Sequence, residues 1–137
     1  MSSNRLFLDT VFIQALLNSR DQYHSPAVEL LPQVKAADEV WLTEAILTEV
    51  GNALSAIDRA AASQFIQQSY RIRNMYIVSV DRALFKQGLT LYQSRGDKHW
   101  GLTDCISFSL MKQQQLTVAV TADRHFIQAG YRALMLE

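Results

Sequence analysis

The chain has 137 residues, 49% of them hydrophobic and 19% charged. That is the profile of a single folded domain, residues 1–137, able to bury a core without staples, and it excludes a disordered or fibrous protein. Net charge is zero and Cys105 is the single cysteine, which excludes a disulfide framework and any multi-cysteine zinc site.

Residues 5–8 read as a short buried strand ending at Asp9. Apolar side chains at helical spacing over residues 11–19 predict a helix with Thr10 as its N-cap. His24-Ser25-Pro26 predicts a second helix through Ala37, capped by Ser25 with Pro26 in the first helical position. A strand at 39–42 follows, then a helix over 44–57 capped by Thr43, and a further helix over 60–74. Residues 76–80 form a β-rich third strand. Asp81 caps a helix through Ser94, which Arg95-Gly96-Asp97 breaks. Thr103 caps a helix over 104–115, residues 117–121 make a fourth strand, and a short helix spans 123–129 until Gly130 stops it. Residues 132–136 complete the chain as an edge strand. Strands alternating with helices imply an α/β fold with a parallel sheet of four to five strands covered by helices. In such sheets ligands bind outside the carboxyl ends of the strands, near the point where strand order reverses.

Zero net charge hides an asymmetry, −5 over residues 1–58 and +5 over residues 59–137. The cations of the second part, Arg95, Lys98 and Arg124 among them, form no basic tract. A folded face could gather several of them beside an acidic centre to meet a polyanion, or they are ordinary solvated surface. No apolar run approaches the ~18 residues that span a bilayer. Asp9 interrupts the apolar stretch near the N-terminus and no small-residue cleavage pattern follows, so the expected location is cytoplasmic.

Four acids stand out: Asp9 in LFLDT, Glu49 in LTEVGNAL, Asp104 in LTDC and Asp123 in TADRHF. Asp9 and Asp123 lie just beyond predicted strands, and Asp104 at a predicted helix start. Each alone reads equally well as a helix cap or a first-turn acid, with Thr121 or Asp123 as the cap in TADRHF. Glu49 lies mid-helix among apolar neighbours, so capping does not explain it, and Asn52 shares its face. Carboxylates brought together and half-buried need a positive partner, and a hard divalent cation is the common one. His24, His99 and His125 show no HExxH or His-x3-His spacing, so such an ion is expected to be held by oxygen. His125, two residues beyond Asp123, is expected to point away from it and to be structural. Cys105 is expected to be an inert buried thiol and Trp100 to pack rather than stack on a base. Asp97 and His99 are further candidates near the third acid.

Taken together, the order LFLDT, TEVGNAL, WGLTDCISF, TADRHF resembles the PIN-domain family, and within it the small VapC-type toxins of toxin–antitoxin pairs. The resemblance runs from Leu6 to Leu136. It implies a three-layer PIN-like fold and Mg²⁺- or Mn²⁺-dependent cleavage of RNA. It also places Asp9, Glu49, Asp104 and Asp123 at the metal-binding, catalytic positions. A homodimer and a small antitoxin, whose basic side chain would block the acidic site, are implied partners. The expected mechanism is metal-assisted phosphodiester hydrolysis, with a bound water rather than a side chain as nucleophile. Two other classes are open to such a chain. One is a module of the same fold that binds RNA or protein without cleaving. The other is a phosphoacceptor receiver, which the single acid of LFLDT and the lack of a lysine following Thr121 disfavour.

Overall fold

An apolar run without alternation marks a strand covered on both faces. Leu6, Phe7 and Leu8 are all buried in β1 (Arg5–Leu8), the central strand of the sheet. The computed structural model describes residues 4–137. β2 (Glu39–Thr43) and β3 (Met75–Val78) extend the sheet on one side of β1, and β4 (Val118–Val120) and β5 (Arg132–Ala133) on the other. Every pairing is parallel, in the order β3-β2-β1-β4-β5. The direction of winding therefore reverses between β1 and β4. Leu8 pairs with Val120, so the residues that follow, Asp9 and Thr121, leave the sheet as neighbours.

Seven helices accompany the described strands: α1 (Thr10–Leu17), α2 (His24–Ala36), α3 (Glu44–Leu54), α4 (Arg59–Ser69), α5 (Arg82–Ser94), α6 (Leu102–Gln113) and α7 (Arg124–Gln128). α1 packs on α2 and α3, α3 on α4, and α5 on α6. This is the helix-flanked parallel sheet that the alternation of elements implies, with the full five strands.

An aromatic chain ties α6 and α7, the helices before and after β4, to the sheet. Phe126 of α7 lies 6.1 Å from Phe7 of β1 and meets Phe108 of α6 edge-on at 4.9 Å. Phe108 in turn meets Trp100 edge-on at 5.1 Å. Edge-to-face pairs of this kind add about 0.5–1.5 kcal/mol each beyond the area they bury. Phe7, Phe108, Phe126 and Trp100 are all buried, so α6 and α7 are fixed to the sheet next to its reversal point.

Element boundaries differ from the sequence reading where side chains compete for backbone groups. Asp9, not Thr10, occupies the N-cap position of α1. Tyr23 precedes α2, so Ser25 and Pro26 lie inside its first turn. Gly101 rather than Thr103 starts α6, because the Asp104 carboxylate accepts the Gly101 N–H at 3.1 Å and draws the helix start back. α3 stops at Leu54, since Asp58 turns out to accept the Ala61 N–H and cap α4. α4 ends at Ser69 because Asn74 is drawn away, donating its side-chain amide to the Ala37 carbonyl at 2.9 Å. β5 is only two residues long: the chain then closes into a 3-10 turn (Leu134–Leu136), with the Met135 N–H donating to the Thr121 carbonyl. Gly130, at φ 98°, ends α7 as expected.

Gly88 permits the close approach of α5 and α6. A Cβ at this position would lie 2.6 Å from Ile106 Cγ1 and 3.0 Å from Ile106 Cα, the second a backbone atom with nowhere to go. Helix propensity alone favours Gly88→Ala by about 1 kcal/mol. The clash should outweigh that gain, giving a net loss of about 1–3 kcal/mol in urea unfolding. A more stable variant would show that the two helices can separate freely.

Candidate functional site

Asp9 leaves the end of β1 with only 4% of its surface exposed. Although it occupies the N-cap position of α1, its carboxylate makes no capping hydrogen bond. Instead Oδ2 accepts the Thr121 hydroxyl at 2.7 Å, and the same hydroxyl oxygen accepts the Asp123 N–H at 3.0 Å. Thr121 is fully buried, so one hydroxyl joins the ends of β1 and β4 and fixes both acidic positions.

Asp123 and Asp104 do double duty as caps. Asp123 Oδ1 accepts the His125 N–H at 2.9 Å at the start of α7, and Asp104 sits in the first turn of α6. The capping interpretation of these two acids is thus correct as far as it goes. It does not exhaust them, because the two helix starts converge. His125 Nδ1 lies 3.2 Å from Asp104 Oδ2 and 3.3 Å from Asp123 Oδ1. Asp104, Asp123 and His125 each present a ligand atom within 4.8 Å of the others, and all three are half-buried. The expectation that His125 points away from Asp123 is therefore wrong. As the second residue of a helix capped by Asp123, it turns its ring back over the cap.

Glu49 stands on α3, where Thr10 donates its hydroxyl to Oε1 at 2.6 Å. This bond sets Glu49 beside the Asp9–Thr10 junction, outside the Asp104–Asp123–His125 ligand group. Thr10 and Thr121 are the site-ordering residues that motif reading passed over as mere caps. The signal for both is a hydroxyl within two residues of an acid at a strand end.

Burial, reinforced by the charges of Asp104 and Asp123, pushes the Asp9 carboxyl up to about 7, against the opposing pull of the Thr121 hydroxyl. Asp104 is likewise raised, by burial first and then by Asp123, with the Gly101 N–H and His125 opposing. Oxygen donors that resist ionising together are suited to a divalent cation, whose charge favours the ionised forms. The donor set of carboxylates and one imidazole fits such an ion.

Other candidates lie elsewhere. Asp97 is exposed and holds Arg95 through two hydrogen bonds of 3.0 and 3.1 Å. His99 and Asn52 are exposed. Trp100 packs, its ring N–H donating to Gln128 at 3.0 Å and its face covered by Arg95 at 4.9 Å. Cys105 is buried beside Asp104, and burial first, then that charge, raises its thiol, so it is inert. Cations do gather, though not as the three residues singled out from sequence. A groove of about 910 Å³ between α5 and α6 is lined by Lys86, Arg95 and Lys112 with Trp100 and Gln128, and by no acidic residue. Lys98 and Arg124 do not line it. No helix among the described residues is long and apolar enough to cross a membrane.

The raised Asp9 carboxyl has a consequence for stability. The folded protein keeps this proton to about pH 7, whereas the unfolded chain releases it near 3.8. Asp9 therefore favours folding at low pH, and its cost accumulates as pH rises to about 7. In EDTA, Asp9→Asn should be more stable than wild type at pH 8 by a few kcal/mol, on the order of one to four, and the gap should close toward pH 4. Thermal unfolding of both proteins across that range checks this; a gap independent of pH would contradict it.

No family model and no curated protein sequence matches this chain. Solved structures do. VapC20 of Mycobacterium tuberculosis, described as a Sarcin-Ricin loop cleaving toxin, superposes with a TM-score of 0.84 at 22% identity, over 92% of this chain and 95% of that one. FitAcB from Neisseria gonorrhoeae superposes with a TM-score of 0.60 at 17% identity, over 93% of this chain and 94% of that one. At such identities the likeness concerns the backbone. The five-stranded parallel sheet and its flanking helices are those of the PIN-like fold.

Proposed function

We propose that this chain is a metal-dependent endoribonuclease and the toxin of a toxin–antitoxin pair. The observation that carries the reading is the Asp9 carboxyl buried at the reversal point of the sheet, where burial first, and then the charges of Asp104 and Asp123, make it resist ionising. A fold pays such a penalty at a functional site more readily than elsewhere. Similarity to the fold of VapC20, a toxin that cleaves the Sarcin-Ricin loop, supports RNA as the substrate class.

Asp9, Glu49, Asp104 and Asp123 are the residues that would hold Mg²⁺ or Mn²⁺, directly or through water. The bound ion would supply an activated water and charge neutralisation at the scissile phosphate. Thr121 holds Asp9 and positions Asp123 through a single hydroxyl, and Thr10 restrains Glu49. These bonds leave the carboxylates little freedom to reorganise, which is what a preorganised site requires. Asp104 and Asp123 are pinned by the N–H groups of Gly101 and His125 in the same way. Hydrolysis adds the water oxygen to phosphorus, breaks the bond to the leaving ribose oxygen, and leaves the water's proton on that oxygen.

Asp104→Asn, which keeps a side chain able to accept the Gly101 N–H, should lower Mn²⁺- or Mg²⁺-dependent RNA cleavage by about a hundredfold or more. Its far-ultraviolet circular dichroism should be unchanged. Induced expression should arrest growth for wild type and not for the variant. Full cleavage by Asp104→Asn would remove this site from the reaction.

The groove lined by Lys86 and Lys112, with Arg95 at its edge already paired to Asp97, is the surface we assign to the RNA backbone, because its two lysines face no acidic lining residue and attract phosphate. In the Asp104→Asn background, replacing Lys86 and Lys112 by Ala should weaken binding of single-stranded RNA. The slope of log affinity against log salt should fall by about 1.4, as expected for two phosphate contacts. An unchanged slope would place the RNA elsewhere. A homodimer and a small antitoxin covering the site complete the reading, on the strength of the resemblance in motif order, together with the cytoplasmic location expected from the N-terminal sequence.

A further inference from the structure

A nitrogen stands among the oxygens of the acidic centre. His125 Nδ1 is 3.2 Å from Asp104 Oδ2 and 3.3 Å from Asp123 Oδ1. Adjacent ligands of an octahedral ion with bonds of about 2.1 Å are separated by about 3 Å. The ring nitrogen thus already stands from each carboxylate oxygen at close to the spacing of ligands on one ion, and the three groups offer ligand atoms within 4.8 Å of one another.

The arrangement is held from behind. Each of these two oxygens accepts a main-chain N–H, from Gly101 at 3.1 Å and from His125 itself at 2.9 Å. The ring rides on α7, and Phe126, the next residue, is locked between Phe7 and Phe108. Little movement is needed for one ion to touch all three residues.

Building on the metal-centre reading above, we propose that His125 binds the ion through Nδ1 and shifts the centre's preference from Mg²⁺ toward Mn²⁺. Mg²⁺ takes oxygen ligands and gives up its waters reluctantly, whereas imidazole is a good ligand for transition ions. A nitrogen ligand therefore adds more to Mn²⁺ affinity than to Mg²⁺ affinity. The neutral ring, with its proton on Nε2, directs the Nδ1 lone pair at the ion. In the rival arrangement the ring keeps its proton on Nδ1, donates to the two carboxylates and stays outside the ion's coordination sphere.

Pulsed electron paramagnetic resonance of the Mn²⁺-loaded protein separates the two. Wild type grown with ¹⁵N-histidine should show a nitrogen coupling of directly bound imidazole that differs from the ¹⁴N signal of unlabelled protein. That coupling should vanish in His125→Ala. Calorimetric titration should show Mn²⁺ affinity falling about tenfold in His125→Ala and His125→Gln. Mg²⁺ affinity, measured by competition, should change less than about twofold. Thermal unfolding in EDTA verifies that the variants fold, and the isotope experiment needs no variant. Mn²⁺ bound without histidine nitrogen coupling would overturn the ligand assignment alone, as would equal losses of Mn²⁺ and Mg²⁺ affinity. No Mn²⁺ binding by wild type would overturn it together with the metal-centre reading. A histidine coupling in a protein that cuts no RNA would uphold the assignment and sink only the ribonuclease reading.

Discussion

The hydrogen bond from the Thr121 hydroxyl to the buried Asp9 carboxylate is the constraint around which this molecule is arranged. It exists because β1 and β4 are parallel neighbours with Leu8 opposite Val120, so both strands deliver their next residues to the same place. A carboxylate taken out of water needs compensation, and Thr121 supplies part of it while also holding the Asp123 N–H. What the hydroxyl leaves uncompensated is a negative charge facing Asp104, and that second acid is what sets the region apart from a core polar contact.

Three separate packing arrangements bring the remaining groups to that charge. Phe126 and Phe108 fix α7 and α6, so Asp123, His125 and Asp104 arrive together although they come from two helix starts. Gly88 lets α5 pack close against α6 at Ile106, two residues beyond Asp104. On the other flank α3 packs on α1, and the Thr10 hydroxyl turns that contact into a restraint on Glu49. Stability and the proposed chemistry share the same groups here: the N–H groups at the starts of α6 and α7 need acceptors, and the acids that accept them are those of the candidate site. Asp9 is the exception. It takes a cap position, gives the helix no cap, and is held out of water at a cost that a bound cation would relieve.

Much of this was legible in residue pattern alone. Continuous apolar runs such as Leu6–Leu8 declared buried parallel strands, and Asp9 and Asp123 at their ends pointed to the carboxyl edge of a parallel sheet. Local chemistry also located Thr43, Asp81 and Gly130 at the helix ends where they act. Helix starts failed where a distant or later side chain took the role expected of a nearer one. Asp104 reached back to Gly101 past Thr103, and Asn74 was pulled to the end of α2 instead of continuing α4.

The sequence by itself determined which residues are apolar, acidic and able to cap, and hence an α/β chain with acids at strand ends, because those properties are carried by side chains and their local spacing. Only the tertiary structure decided what the acids face. The pairing of β1 with β4 and the docking of α7 on the sheet through Phe126 and Phe7 join residues more than a hundred positions apart, and the fold-back of the His125 ring sets a side chain's direction by packing. The strand pairing is not expressed in a local pattern, and the ring's direction is set by Asp104 of another helix as well as by its own helix cap. That is why His125 reads as a bystander in the sequence and stands between two carboxylates in the folded protein.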